Sequence, residues 1–386
     1  MDDLGAELET FRQRHRVPAV VGAVVDREGD LRAEAIGVPC LDRSGGDPSS
    51  DESSRAELSG AESEGADLSG AESGGAESSE AESREPVTTD DRWHIGSCGK
   101  AMTAAVYARL VETGRAEWGL PVRSLFPDVT TVDPGWESPT IDDLLHSRAG
   151  VASNPPRSRL RSLHASTEAH PDQRSQMVAE ILATAPNRPG RFRYSNLGYV
   201  MAGAAIDRLS GMTYEEALRT ELAEPLGMRS LGFGPPPRLC GHRRSLQLGP
   251  IGLGGRTTAS PGAGDSDNPP LYTPAGRMHL TIADWAAFQG LFLNRGAPLL
   301  GPASIEHLIN IPGSGKGPSM AMGWASAEQI GASLGMQGSN TLWVATALID
   351  RDRSRSAMVI TNDGNPRLLR RTAELAARLL GLQPRR

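Results

Sequence analysis

The stretch "RWHIGSCGKAMTAAVYARLVETG", residues 92–114, holds two residues whose types and spacing could do chemistry, Ser97 and Lys100. Lys100 is one of only two lysines among 40 basic residues; the other is Lys316. A serine hydroxyl is a weak nucleophile until a neighbouring base takes its proton. A lysine amine can be that base when burial and nearby positive charge push it toward neutrality. A guanidinium cannot, which gives a physical reason for a lysine in an arginine-preferring chain. Three residues apart on a helix, the two Cβ atoms lie about 5–6 Å from each other. The unpaired N–H groups at the start of such a helix can also stabilise an oxyanion. The same pair reads equally as a helix N-cap and a solvated first-turn cation.

A second stretch, "PGRFRYSNLGYVMAGAAIDRLSG" at 189–211, sets Tyr194 and Asn196 between a Pro-Gly turn and a helix ending near Gly211. Read blandly, Asn196 is the N-cap of that helix and Tyr194 a partly buried anchor. Read functionally, the phenol faces the serine and relays protons, and the carboxamide holds the lysine or the substrate.

Elements must bring these stretches together. "LGAELETFRQRHRVPA" predicts an amphipathic helix that stops before Pro18, and "AVVGAVVDREGDLRAEAIG" a hairpin turning at residues 27–30. Apolar positions from Ala101 to Val111 recur at helical spacing, and Gly114 ends the run. Residues 140–310 read as helical and loop-rich. Toward the C-terminus "AMGWAS", "TLWVATALID" and "SAMVITND" read as strands, and "PRLLRRTAELAARLLG" as an amphipathic helix. The expected fold is α/β of the α+β type. An antiparallel sheet is built from both termini and flanked by helices, with a mainly helical lobe inserted. Residues 1–43, 88–135 and 312–386 form the α/β lobe, 136–311 the helical lobe, and the cleft between them is the natural active site.

Residues 44–87 are an inserted Ala/Glu/Ser/Gly repeat with almost nothing large and apolar to bury, and are expected to be disordered. This insert dominates the charge. The 386-residue chain carries a net −7, but residues 44–86 alone carry −10, which leaves +3 for the remainder. Neither a nucleic-acid binder nor a polybasic membrane anchor fits that balance. No apolar run approaches a membrane span. Three widely spaced cysteines, Cys40, Cys98 and Cys240, argue against a disulfide framework and point to a reducing cytoplasm. Eight scattered histidines lack metal-ligand spacing, so no metal or organic cofactor is expected; His146 and His279 read as structural. Cys98 is rotated about 100° from Ser97 around the helix and reads as a core thiol. "GLGG" at 252–255 reads as a flexible loop, and Lys316 as a solvated loop residue.

Together, "WHIGSCGKAMTAAVYARLVETGRAEW", "TIDDLLHSRAGV", "YSNLGYVMAGAAIDRLSGMTYEEALRTELAEPLGM", "DNPPLYTPAGRMHLTIADWAAF" and "QGSNTLW" resemble the serine β-lactamase and penicillin-binding-protein superfamily. The resemblance runs from about Leu4 to Leu380 and is strongest to its class C-like branch of carboxypeptidases, esterases and LACTB-like hydrolases. Ser-x-x-Lys is a known nucleophile motif there. The resemblance implies that Ser97 becomes acylated, that Lys100 and Tyr194 share the base and acid work, and that Asn196 orients Lys100 and the substrate. It further implies an oxyanion hole made by the backbone N–H groups of Ser97 and Ser339.

The pattern breaks at the third family motif, Lys-Thr-Gly or His-x-Gly. In "GMQGSNTLW" Met336 occupies the cationic position, while Gly338 is retained, as where a substrate backbone runs close to the strand. A thioether supplies neither charge nor a useful donor. Gln337 should face the other side of the strand. The expected function is therefore a cytoplasmic serine hydrolase acting on a small-molecule or short-peptide ester or amide, an esterase, amidase or acyltransferase rather than a true β-lactamase. The alternatives are a catalytically degenerate acyl or peptide binder and a D-amino-acid peptidase.

Overall fold

The computed structural model describes residues 3–41, 85–248, 251–261, 266–313 and 319–382. Most of the acidic insert, and Lys316, lie outside the described residues. Helix α1 (Leu4–His15) opens with the Asp3 carboxylate accepting from the Ala6 amide and closes at Arg16 in the left-handed region, φ 51°. Its buried residues are Leu8 and Phe11, each contributing roughly 2 kcal/mol through the apolar surface it removes from water.

The main sheet is antiparallel throughout, in the order β2-β1-β11-β10-β9-β8. The strands are β1 (Ala19–Asp26), β2 (Leu31–Gly37), β8 (Ala325–Ser326), β9 (Leu334–Ser339), β10 (Val344–Ile349) and β11 (Arg355–Thr361). The sheet is thus built from both ends of the sequence, as expected. Strand β1 reads "AVVGAVVD" without polar alternation because both of its faces are covered. Val20 and Val24 join Leu8, Phe11, Val359 and Leu375 on one side, where α1 and the C-terminal helix (Arg367–Leu379) pack. Ala19, Val21, Ala23 and Val25 join the larger core on the other.

The longer helices between the sheet's two halves are α2 (Gly99–Glu112), α3 (His170–Leu182), α4 (Asn196–Ser210) and α5 (Ile282–Leu293). Residues 140–310 are not purely helical, however. A short sheet joins β3 (Trp93–His94) to β7 (Met278–Leu280) and β4 (Gly232–Phe233), and β5 (Gly241–Leu248) pairs with β6 (Ile251–Ala259). The "GLGG" run therefore belongs to a hairpin strand, not a loop, because β5 supplies its ladder partners. In "AMGWAS" only Ala325–Ser326 is strand. The insert reading also extends too far. Val87 is 4% exposed in the core, and its amide donates to the Gly37 carbonyl.

The cysteine expectation is overturned. Cys40 and Cys240 form a disulfide with their Cα atoms 4.9 Å apart, across a sequence separation of 200. Spacing along the chain cannot reveal a pair that only the fold brings together. The bridge also removes the ground on which cysteine usage pointed to a reducing compartment. Cys98 is the free, buried thiol of the core. No helix among the described residues is long and apolar enough to cross a membrane.

Candidate active site

Ser97 lies in a 3-10 turn, Gly96–Cys98, that leads from β3 directly into α2. Gly96 has φ 53°, the left-handed turn that carries the chain from strand to helix. This turn is pressed against the end of β9. A Cβ built on Gly96 would stand 2.6 Å from the Ser339 amide nitrogen, and one built on Gly338 would stand 2.1 Å from the Ile95 carbonyl and 2.7 Å from the Ser97 amide nitrogen. The Ser97 and Ser339 amides thus flank a glycine-on-glycine contact. Gly338 is required by the protein's own backbone crossing there, a closer reason than an approaching substrate.

Lys100 is 1% exposed, on the first turn of α2. Its Nζ is 3.1 Å from Ser97 Oγ, donates to Asn196 Oδ1 at 2.7 Å, and donates to the Ala275 carbonyl. Two aromatic rings complete the enclosure, with centroids 5.0 Å (Tyr194) and 5.4 Å (Tyr199) from the nitrogen. Tyr199 donates its hydroxyl to the Leu145 carbonyl at 2.6 Å, which fixes its ring. The solvated-cation reading of Lys100 does not hold.

Nor is Asn196 the N-cap. Ser195 caps α4, its Oγ accepting from the Gly198 amide at 2.9 Å. Asn196 becomes the first helical residue, and its carboxamide is released toward Lys100. Its Nδ2 donates to Asn154 Oδ1 at 2.9 Å, which fixes the orientation of the amide. The segment is clamped by the loop before it. Arg193 N donates to the Ser147 carbonyl, Asn196 N to the Ser153 carbonyl, and Ser153 Oγ to the Tyr194 carbonyl.

The chemistry follows from counting hydrogens. Asn196 Oδ1 and the Ala275 carbonyl can only accept. As an ammonium, Lys100 donates to these two oxygens and to Ser97 Oγ, three partners for three N–H bonds. Of the three, only Ser97 has a proton to give.

Met336 is 2% exposed and belongs to the core on the inner face of the sheet, opposite Ala347 on β10. It is sealed in and presents no open surface. Gln337 faces away, its Nε2 donating to Thr346 Oγ1 and to the Leu369 carbonyl of the C-terminal helix. His146 and His279 bond to the Met320 and Gly234 carbonyls. Burial pushes the Cys98 thiol pKa strongly upward, as befits a core side chain. Sequence reasoning missed His94, Asp267 and Asn340, which form a buried cluster behind the Ser97 turn. Their one visible signal was a histidine three residues before Ser97 in a strand-like run. Asn154 and Tyr272, whose hydroxyl is 3.3 Å from Asn154 Oδ1, were also missed, one lying in a loop and the other in a short 3-10 turn, neither with a periodic pattern.

The fold is shared with solved enzymes. The D-amino acid amidase of Ochrobactrum anthropi SV3 matches with a TM-score of 0.70 at 18% identity, over 98% of each chain. The class C beta-lactamase of Rhodobacter sphaeroides matches with a TM-score of 0.68 at 17% identity, over 97% of this chain and 98% of that one. Among curated relatives, the unguisins hydrolase ungD' of Aspergillus campestris is 28% identical over 228 residues, 56% of this chain. That match spans 41% of the relative's own length. The Beta-lactamase family profile covers residues 6–381, and the chain belongs to that family.

Proposed function

We propose that this protein is a serine hydrolase that forms an acyl-enzyme on Ser97 with an ester or amide substrate. The observation that carries the reading is the three-partner arrangement around Lys100 Nζ, in which Asn196 Oδ1 and the Ala275 carbonyl can only accept and Ser97 alone has a proton to give; as the free amine, Lys100 keeps its two N–H bonds on those acceptors and turns its lone pair to Ser97. Lys100 takes the Ser97 proton as Oγ bonds to the substrate carbonyl carbon, and the carbonyl π electrons move onto oxygen. The Ser97 and Ser339 amides receive that oxyanion. Collapse expels the alcohol or amine, which takes a proton back through Lys100 and Tyr194. Water then repeats the sequence, releases the acid and restores Ser97.

Met336 favours a neutral acyl substrate, since a sealed thioether clamps no carboxylate. The likeness to a D-amino acid amidase supports including amides of amino acids among the candidates. The competing reading, a binder without turnover, also rests on Met336. A fluorophosphonate probe tests both. The wild type should be labelled, and Ser97→Ala should not. Lys100→Arg sets a guanidinium there that offers no lone pair, so p-nitrophenyl ester hydrolysis should fall by roughly 10³-fold or more. A folded wild-type protein that resists the probe and leaves the ester intact would establish the binder.

A further inference from the structure

His94 is fully buried, stacked on Trp343 with ring centroids 5.3 Å apart and planes 24° from parallel. Its Nδ1 accepts from the Gly96 amide at 3.1 Å. The proton therefore sits on Nε2, which donates to Asp267 Oδ2 at 3.0 Å. The second carboxylate oxygen, Oδ1, accepts from Asn340 Nδ2 at 2.9 Å. Asn340 Oδ1 in turn accepts from the Leu342 and Trp343 amides, each at 3.2 Å, and so shapes the turn that follows β9. Arg277 Nε, 3.5 Å from Asp267 Oδ2, adds a compensating charge. One unbroken chain of polar contacts thus runs from the residue before Ser97 to the residue after Ser339.

A buried ionic cluster is a poor device for stability alone, because well-packed apolar residues of similar volume do as well or better. Its ends make the function legible, for they lie on the two backbone turns whose amides flank the Gly96–Gly338 contact. We infer that His94, Asp267 and Asn340 are positioning residues that set the spacing and aim of the Ser97 and Ser339 amides toward the developing oxyanion. The inference rests on the Ser97 acyl-enzyme reading. A donor displaced by about 1 Å can cost on the order of 100-fold in rate, so a rigid link between the two turns has a large effect to deliver.

Two substitutions at one position separate positioning from bulk support. His94→Asn sets a carboxamide oxygen where Nδ1 stood and keeps the Gly96 contact. His94→Gln sets a nitrogen donor toward Asp267 and loses that contact. The measurements are kcat and KM on a p-nitrophenyl ester, the second-order rate of fluorophosphonate labelling, and Tm. Each variant breaks the link at one end, so both are expected to lower kcat and the labelling rate by roughly 30- to 100-fold with KM within about threefold. A wild-type rate in either variant, or a loss carried by KM and not kcat, would overturn the inference. Should either variant fail to fold, Asp267→Asn decides. It keeps the shape but sets an N–H₂ group against the Asn340 donor, and labelling that proceeds at the wild-type rate overturns the inference. A wild type that is never labelled overturns the acyl-enzyme reading itself, whereas labelled wild type with unaffected variants overturns only the positioning role.

Discussion

Ser195 and Asn196 divide two tasks that the sequence offers as alternatives for Asn196: the serine caps helix α4 and the asparagine turns its oxygen to Lys100 at 2.7 Å. The cap satisfies a backbone donor, whereas the Lys100 contact fixes the direction of a side-chain amine.

Their substitutions should therefore separate stability from activity. Ser195→Ala removes the cap and should cost about 1 kcal/mol of stability, seen as a lower urea midpoint with residual kcat. Asn196→Ala removes one of the two acceptors that occupy the Lys100 hydrogens. It should lower kcat by roughly 100-fold with a smaller change in the urea midpoint. An asparagine variant with wild-type kcat would show that the Lys100–Asn196 contact is incidental.

Gly338→Ala should be far more damaging than an ordinary glycine replacement in a strand. The added methyl would sit 2.1 Å from the Ile95 carbonyl and 2.7 Å from the Ser97 amide, both backbone atoms with no rotamer to yield. Turnover should fall below detection and Tm should drop. Gly290→Ala, where nothing lies within 4 Å, is the control and should keep both near wild type.

Thiol counting tests the disulfide. Denatured protein kept from reductant should show one titratable thiol per chain, from Cys98, and reduced protein should show three. Cys240→Ser should lower stability by about 2–5 kcal/mol, as removing a native bridge that closes a long loop commonly does. Three thiols before reduction would mean the bridge does not form.

Acid should weaken the fold through two imidazoles. Burial pushes His242 from its ordinary 6.5 down to about 4, against the opposing hydrogen bond to the Asn362 carbonyl. Burial does the same to His279, again to about 4, against its bond to the Gly234 carbonyl. Both are held neutral when folded and take up protons more readily when unfolded. Their stabilisation is complete above pH 6.5 and is lost as pH falls through about 4, by up to roughly 3 kcal/mol each. Urea midpoints measured from pH 7.5 to 4 should decline within that window. A flat profile would refute the assignment.

The sequence made periodic elements legible and non-periodic ones obscure. α1, the first hairpin, α2 and the C-terminal helix follow from repeated apolar spacing, and the resemblance supplied the β9 strand that spacing alone does not announce. The hairpin β5–β6 stayed hidden because its glycine-rich second strand carries no apolar alternation to read. Ser97 and Lys100 could be paired from one short stretch, since three residues of helix bring them together. The His94–Asp267 contact spans 173 residues and joins a strand to a loop, so no local pattern encodes it. The same holds for Cys40 and Cys240. Ser195, adjacent to Asn196 and equally able to cap, shows why residue type alone cannot say which neighbour takes a role.

The central pairing of β1 with β11 sets a timetable for biosynthesis. Val24 meets Ala357, so β1 pairs early with β2 but waits for some 330 further residues before β11, its other neighbour, exists. At about 10 residues per second that is roughly half a minute. The Ser97 turn likewise lacks its β9 buttress until Ser339 has emerged. A nascent chain stalled before that point would carry Ser97 and Lys100 without the opposing strand, and the site would be complete only once β9 has emerged.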